Sequence, residues 1–213
     1  MEKKDLKKYA YDVIKHNILQ CKYAPGSFIN EQMLVDELAI SRTPIREALN
    51  RIERDGLVTI LPKKGIYVTE ITVSGLSQMY QARILLEPFV VRASAPYLEK
   101  ARLQEILQLC YEQKDDESGL LLPETDAILH GYLVDNCKNV YIVEIMHRIL
   151  EHNKRVHLSA GKGIRIDNAR EEHIGILLDL LDGRIDEATK KMCAHLENCR
   201  DCAFTYFRTW GGP

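Results

Sequence analysis

"SRTPIREALNRIERDGLVTILPKKGIYVTEI", residues 41–71, decides the fold of the first part of this chain. It begins with hydroxyls that can cap a helix, Ser41 or Thr43, and sets Pro44 in the first turn, where a missing N–H costs nothing. Ile45, Leu49 and Ile52 then recur at helical spacing until Gly56 stops the pattern. Two short strand-like runs follow, "LVTIL" and "GIYVTEI", joined by "PKKG" with Lys63 and Lys64 at the tip of a hairpin. The helix start is unusual. The N–H groups of a first turn favour acids, yet Arg42 and Arg46 stand there, so a compensating anion has to come from outside the helix. DNA phosphates and guanine edges are such anions and acceptors. The plainer alternative is a solvated face on which the arginines pair with Glu47 or Asn50.

Upstream, Leu6, Tyr9, Ala10, Val13, Ile14, Ile18 and Leu19 mark an amphipathic helix over 5–22, which "APGS" at 24–27 breaks. Asn30 can cap a second, short helix with Met33, Leu34 and Leu38 on its inner face. Three helices and a hairpin make a winged helix-turn-helix, with the third helix as reader and the hairpin as wing. Downstream of Ser74 the strand signals stop. Helical runs are expected over 74–98, bent or broken near Pro88, then over 101–115, 123–136, 139–157, 167–182 and 185–208. Their breakers are "ESG" at 117–119, Pro123, Asn139, "AGKG" at 160–163 and "DG" at 182–183. The expected fold class is mainly α: a winged helix-turn-helix DNA-binding domain over 1–72 and an all-α antiparallel bundle over 73–213, for effector binding and dimerisation.

Composition agrees with two modest soluble domains: 213 residues, 46% hydrophobic and 28% charged. The net charge is −2, placed unevenly, with a slightly basic first 72 residues and an acidic remainder. No long uncharged apolar run occurs, and charge interrupts the N-terminal stretch, so a cytoplasmic location without membrane contact is expected. Six irregularly spaced cysteines do not form a disulfide framework. "CRDC", with Cys199 and Cys202, has the spacing of half a zinc ribbon but no second pair.

Asp126 and His130 are four residues apart, on one face of their helix, while His173 and His195 belong to the last two helices. One carboxylate and three imidazoles suit a divalent cation such as zinc or nickel and leave positions open. Taken singly, each of these histidines is more readily a surface or satisfied core residue than a metal ligand. His147, His152 and His157 are spaced by five, which leaves neighbours about 140° apart on a helix, so the three cannot share a face.

The 41–71 stretch closely resembles the DNA-binding module of GntR-type transcriptional regulators, in which S-R-T-P-x-R-E-A-L, E-x-D/E-G-L and P-x-x-G-x-x-V recur. The resemblance implies contacts to base or phosphate from Arg42, Thr43 and Arg46, with Ser41, Lys64 and Gly65 touching the backbone or minor groove. Gln32 stands where many relatives carry arginine, and Ala39 replaces a frequent turn glycine. The rest of the chain resembles the all-helical FCD branch of the same regulators. Arg83 with Glu87, Asp126 with His130, Asn139, Glu172 with His173, and His195 with Leu196 match its motifs, although Leu129 replaces a common phenylalanine. This implies metal ligation by Asp126, His130, His173 and His195, a small carboxylate beside the ion, and Arg83 as its bidentate partner. The expected function is a ligand-responsive regulator of double-stranded operator DNA, acting as a homodimeric repressor that senses a small organic acid. Two alternatives stay open: a metal-dependent hydrolase or other enzyme acting on a small acid, and a dimerising regulator with a purely structural metal.

Overall fold

A computed structural model describes residues 3–112, 123–160, 164 and 168–209, and the chain divides into two compact units, residues 1–71 and 72–212. The expected end of the 101–115 helix, the breaker at 117–119, most of that at 160–163 and the first residue of the 167–182 helix fall outside the described residues.

In the first unit the order is α1 (Lys3–Leu19), β1 (Phe28–Ile29), α2 (Glu31–Leu38), α3 (Arg42–Arg54), β2 (Val58–Leu61) and β3 (Gly65–Val68). Ala10, Ile14 and Ile18 of α1 meet Leu34, Ile45, Leu49 and Ile52 in one buried core, closed on the sheet side by Val58, Ile66 and Val68. Helix spacing thus becomes packing for Ala10, Ile14 and Ile18, and in part for Leu6, Val13 and Leu19, whereas Tyr9 of the same expected face stays 41% exposed. Asn30 caps α2 as expected, its side chain accepting from the Met33 N–H at 2.8 Å. The first helix stops at Leu19, short of the expected 22, and Cys21 follows at φ 55°.

The sheet has three antiparallel strands in the order β1-β3-β2, one more than the hairpin read from the sequence. The added strand pairs Phe28 with Tyr67 and Ile29 with Ile66. Two residues are too few to leave an alternating pattern, so the strand is specified by its turn: Gly26 N–H donates to Val68 O, and Val68 N–H to Ser27 O, both at 2.9 Å. This strand also explains a glycine. Gly65 sits at φ +109°, and a Cβ there would stand 3.0 Å from the carbonyl oxygen of Ile29.

The second unit contains α4 (Val73–Ser94), a 3-10 turn (Ala95–Tyr97), α5 (Lys100–Glu112), α6 (Pro123–Asn136), α7 (Val140–Ala160), α8 (Ala169–Leu181) and α9 (Ile185–Thr209). Thr72 caps α4 by accepting from the Gly75 N–H at 3.0 Å. That helix runs through Pro88 without a break, although proline at this place removes one internal hydrogen bond. The buried side chains of Val90, Val91, Glu87 and Arg83 around it show why: tertiary contacts hold the segment where local preference would interrupt it. Helix α9 lies along α4 and α8, α5 packs on α8, and α6 on α7. Val91, Leu103, Ile106, Leu129, Leu133, Met146, Ile176 and Met192 form the common core. At the end of α8, Gly183 at φ +75° directs its N–H to Leu180 O, and the Arg184 N–H reaches Asp179 O, a two-bond helix stop. No helix among the described residues is long and apolar enough to cross a membrane.

Candidate metal centre and DNA-reading surface

Helix α3 starts at Arg42 with Ser41 in the capping position. Ser41 takes the extended backbone of a cap, but its hydroxyl makes no capping bond, and the first turn contains no acid. Arg42, Thr43 and Arg46 are exposed, while Pro44, Ile45, Ala48 and Leu49 face the core. The two arginines are held from α2: Arg42 Nη2 donates to Gln32 Oε1 at 2.8 Å, and Arg46 Nε to Glu31 Oε1 at 2.9 Å. The arginine of the Glu31 pair remains 62% exposed, so this contact orients Arg46 without withdrawing it from solvent. Gln32, which departs from the family pattern, therefore acts as a bracket for Arg42. At the wing, Lys63 and Lys64 stand exposed in the turn before Gly65, with Lys63 at φ 64°.

The second unit brings Asp126, His130, His173 and His195 together from α6, α8 and α9, all buried, with one donor atom of each within 4.8 Å of the others. Asp126 Oδ1 is faced by three imidazole nitrogens: His130 Nε2 at 3.4 Å, His173 Nε2 at 3.6 Å and His195 Nε2 at 3.9 Å. The Nε2 atoms of His173 and His195 are 3.1 Å apart. Burial, reinforced by His195, keeps His173 well below the ordinary histidine range. Burial and then His130 lower His195 to about 3. Burial opposes charge on His130 as well, but Glu87 and Asp126 outweigh it and raise the group to about 9. Asp126 stays a carboxylate: burial disfavours its charge, and His130 more than offsets that.

Outer partners fix the rings. His195 Nδ1 lies 2.8 Å from Glu172 Oε2, and His130 Nδ1 contacts Glu87 Oε2. A carboxylate accepts only, so each of these Nδ1 atoms carries a proton; neutral His195 then turns its Nε2 lone pair to the centre, while His130, held charged by Glu87 and Asp126, would release its Nε2 proton to a bound metal. His130 Nε2 and His173 Nδ1 have no hydrogen-bond partner in their buried places. Three imidazole nitrogens and a carboxylate oxygen within ligand range of one point make a donor set that fits a divalent metal, which would replace the protons held there. The carboxylate–imidazole pairs are the usual outer support of such ligands. Cys199 Sγ lies 3.5 Å from His195 Nε2, and burial keeps its thiol well above the usual range.

Arg83 lies beside this centre, 1% exposed. Its Nε donates to Glu87 Oε1 at 2.5 Å, and its Nη2 is 3.4 Å from His130 Nδ1. With Nε engaged by Glu87, a bidentate contact to a second carboxylate falls to the terminal nitrogens. Sequence reasoning named Glu87 only as part of a motif; in the fold it couples Arg83 to His130.

A cavity of about 200 Å³ between α6 and α7 reaches Asp126. Leu150, Asn153, Lys154 and His157 line it from α7, and His147 joins them. The first four recur at helical spacing, a signal that was present in the sequence and is hidden by attention to histidines alone. His147 and His157, ten residues apart, thus share a cavity although successive members of the five-residue series do not share a face. His147 Nε2 pairs with Asp135 at 3.1 Å.

Comparison with known proteins agrees with both units. Residues 6–68 match the family described as bacterial regulatory proteins, gntR family, and residues 78–198 match the FCD domain. The chain is 30% identical over 180 residues to the Nta operon transcriptional regulator of Aminobacter aminovorans, covering 82% of this chain and 83% of that one. It is 26% identical over 153 residues to the HTH-type transcriptional repressor GlaR of Escherichia coli, covering 66% and 67%. In fold it is similar to a GntR transcriptional regulator from Rhodococcus sp. RHA1, with a TM-score of 0.77 at 20% identity over 93% of this chain and 97% of that one. These relatives and domains are regulators, which removes the hydrolase alternative. The winged head and the helical bundle with its buried histidines together identify a member of the GntR family with an FCD domain, and so a DNA-binding transcriptional regulator.

Proposed function

We propose that this regulator is a homodimeric, metal-dependent repressor that leaves its operator when a small organic acid binds the helical domain. The observation that carries this reading is the convergence of three Nε2 atoms on Asp126 Oδ1 in a buried site, with outer carboxylates holding the Nδ1 atoms of His130 and His195. Asp126, His130, His173 and His195 would hold the ion, zinc or nickel by donor type. Bound there, the ion supplies a positive charge with open positions for a carboxylate. Arg83, braced by Glu87, adds a second cationic group at the same centre. Ser41, Arg42, Thr43 and Arg46 would meet phosphates and base edges in the major groove, and Lys64 with Gly65 would follow the backbone at the wing.

A single small head reads few base pairs, so a twofold pair of heads on half-sites about one helical turn apart supplies the specificity. Leu85 and Phe89, one turn apart on α4 and 76% and 46% exposed, offer an apolar face for such pairing. Repression is supported by the likeness to GlaR, itself a repressor, and an operator target places the protein in the cytoplasm. An acid that prefers one of two subunit arrangements shifts the operator affinity by its differential binding energy.

The test combines metal analysis with thermal shift in a panel of small carboxylates, on the wild type and on His173→Ala. Bound metal and an acid-dependent shift, both lost in the variant, are expected. Retention of both by His173→Ala would remove His173 from the site, and a wild type with neither bound metal nor an acid-dependent shift would overturn the sensing reading.

A further inference from the structure

Asn153 lies at the inner end of the α6–α7 cavity and is 2% exposed. Its Nδ2 is 3.4 Å from Asp126 Oδ2. A carboxylate cannot donate, so the amide nitrogen has to be the atom turned toward Asp126, and the orientation of the amide is fixed by chemistry. The other amide atom, Oδ1, is buried without a hydrogen-bond partner. An acceptor in this condition costs free energy until a donor reaches it. Among the described residues no side chain supplies one, although the cavity is also lined by His157, Lys154 and Leu150.

We propose that Asn153 selects the effector, by accepting a hydrogen bond from a hydroxyl or amine on the carbon next to the acid's carboxylate. This rests on the acid-sensing reading above and narrows it. The position follows from the contact to Asp126: a carboxylate drawn to the centre leaves the next atoms of a short acid beside Asn153. The cavity of about 200 Å³ has room for a short-chain acid. A site built to accept a hydrogen bond rejects a ligand that lacks the donor, because the acceptor is then sealed without a partner.

The inference is tested by calorimetric titration of zinc-loaded full-length protein with matched acids: glycolate, glycine and acetate, then 2-hydroxybutyrate, 2-aminobutyrate and butyrate. The hydroxyl and amine arms show which donor is used. Wild type is expected to bind one donor-bearing series about tenfold or more tightly than the plain acids. Asn153→Leu and the milder Asn153→Ala, each loaded with zinc to the wild-type content, are expected to bring that ratio to within about threefold. Chelation of the ion by the donor would also favour such acids, but that preference does not depend on Asn153. A ratio that survives in both variants therefore overturns the proposal, as does equal binding of all acids by the wild type; in either case acid sensing itself stands. Absence of acid binding by the wild type overturns both.

Discussion

His173 on α8 and His195 on α9 face each other Nε2 to Nε2 at 3.1 Å, inside a bundle that buries both rings completely. Two neutral imidazoles in that attitude can share one proton, and a metal ion that replaced it would tie both helices to a common centre. The helices α8 and α9 also pack extensively on one another, which makes the site part of the bundle's stability.

Removal of metal by a chelator is accordingly expected to lower the melting temperature of the protein. At an ion concentration about a thousandfold above Kd, binding adds about 4 kcal/mol. His195→Ala should melt at one temperature with or without chelator. Glu172→Gln, which weakens the partner of His195 Nδ1 while leaving the four donors in place, is expected to lower metal affinity by about 10–100-fold. Differential scanning calorimetry and metal titration check both.

Arg46→Ala is expected to weaken operator binding by about 1–3 kcal/mol and to leave the melting temperature within a degree or so of the wild type. Its guanidinium is mostly exposed and its partner, Glu31, is a surface carboxylate, so little folding energy depends on the pair. A gel shift at fixed salt reads the first expectation and a thermal melt the second. If Arg46 contacts a phosphate rather than a base, the loss is uniform across operator sequences and the salt dependence of binding falls by about one ion.

The reading head was legible because its signals are local. Helical spacing at Ile45, Leu49 and Ile52, the Asn30 cap and the wing turn each lie within a few residues of one another, and each has its expected place in the fold. Strand β1 was not legible, since two residues carry no period and the pairing with β3 is set by a turn and by the space left at Gly65. In the helical unit, the four candidate ligands were found by residue type and motif. Their convergence, however, depends on the packing of α6, α8 and α9, which sequence spacing does not encode. Asn153 escaped notice for the same reason: its partner, Asp126, is 27 residues away on another helix.

Ala39 is a place where sequence and backbone disagree. It ends α2 in the left-handed region, at φ 53° and ψ 38°, where a Cβ is crowded and glycine is favoured. Relief of about 1–2 kcal/mol of steric cost is partly offset by the greater freedom of glycine in the unfolded chain. Ala39→Gly should therefore stabilise the head by about 0.5–1 kcal/mol without altering operator affinity. Urea denaturation of the full chain, followed by a signal from the head, measures it.

Asp179 ties α8 to the start of α9. Its carboxylate meets Arg184 Nη2 and Lys191 Nζ, each at 2.6 Å, and these contacts, Lys191 first, hold it below the ordinary aspartate range. A carboxyl whose folded value is lowered binds its proton more readily in the unfolded chain. Its contribution is then complete above the unfolded value of about 3.9 and disappears as pH falls through the lower folded value. Asp179→Asn removes the charge at every pH, so the variant should melt below the wild type at pH 7 and approach it in acid, where the wild type loses the same contribution. Melting curves from pH 7 down to the acid transition compare the two. A constant gap across that range would mean that Asp179 acts through its hydrogen bonds alone, and convergence of the curves assigns the effect to its charge.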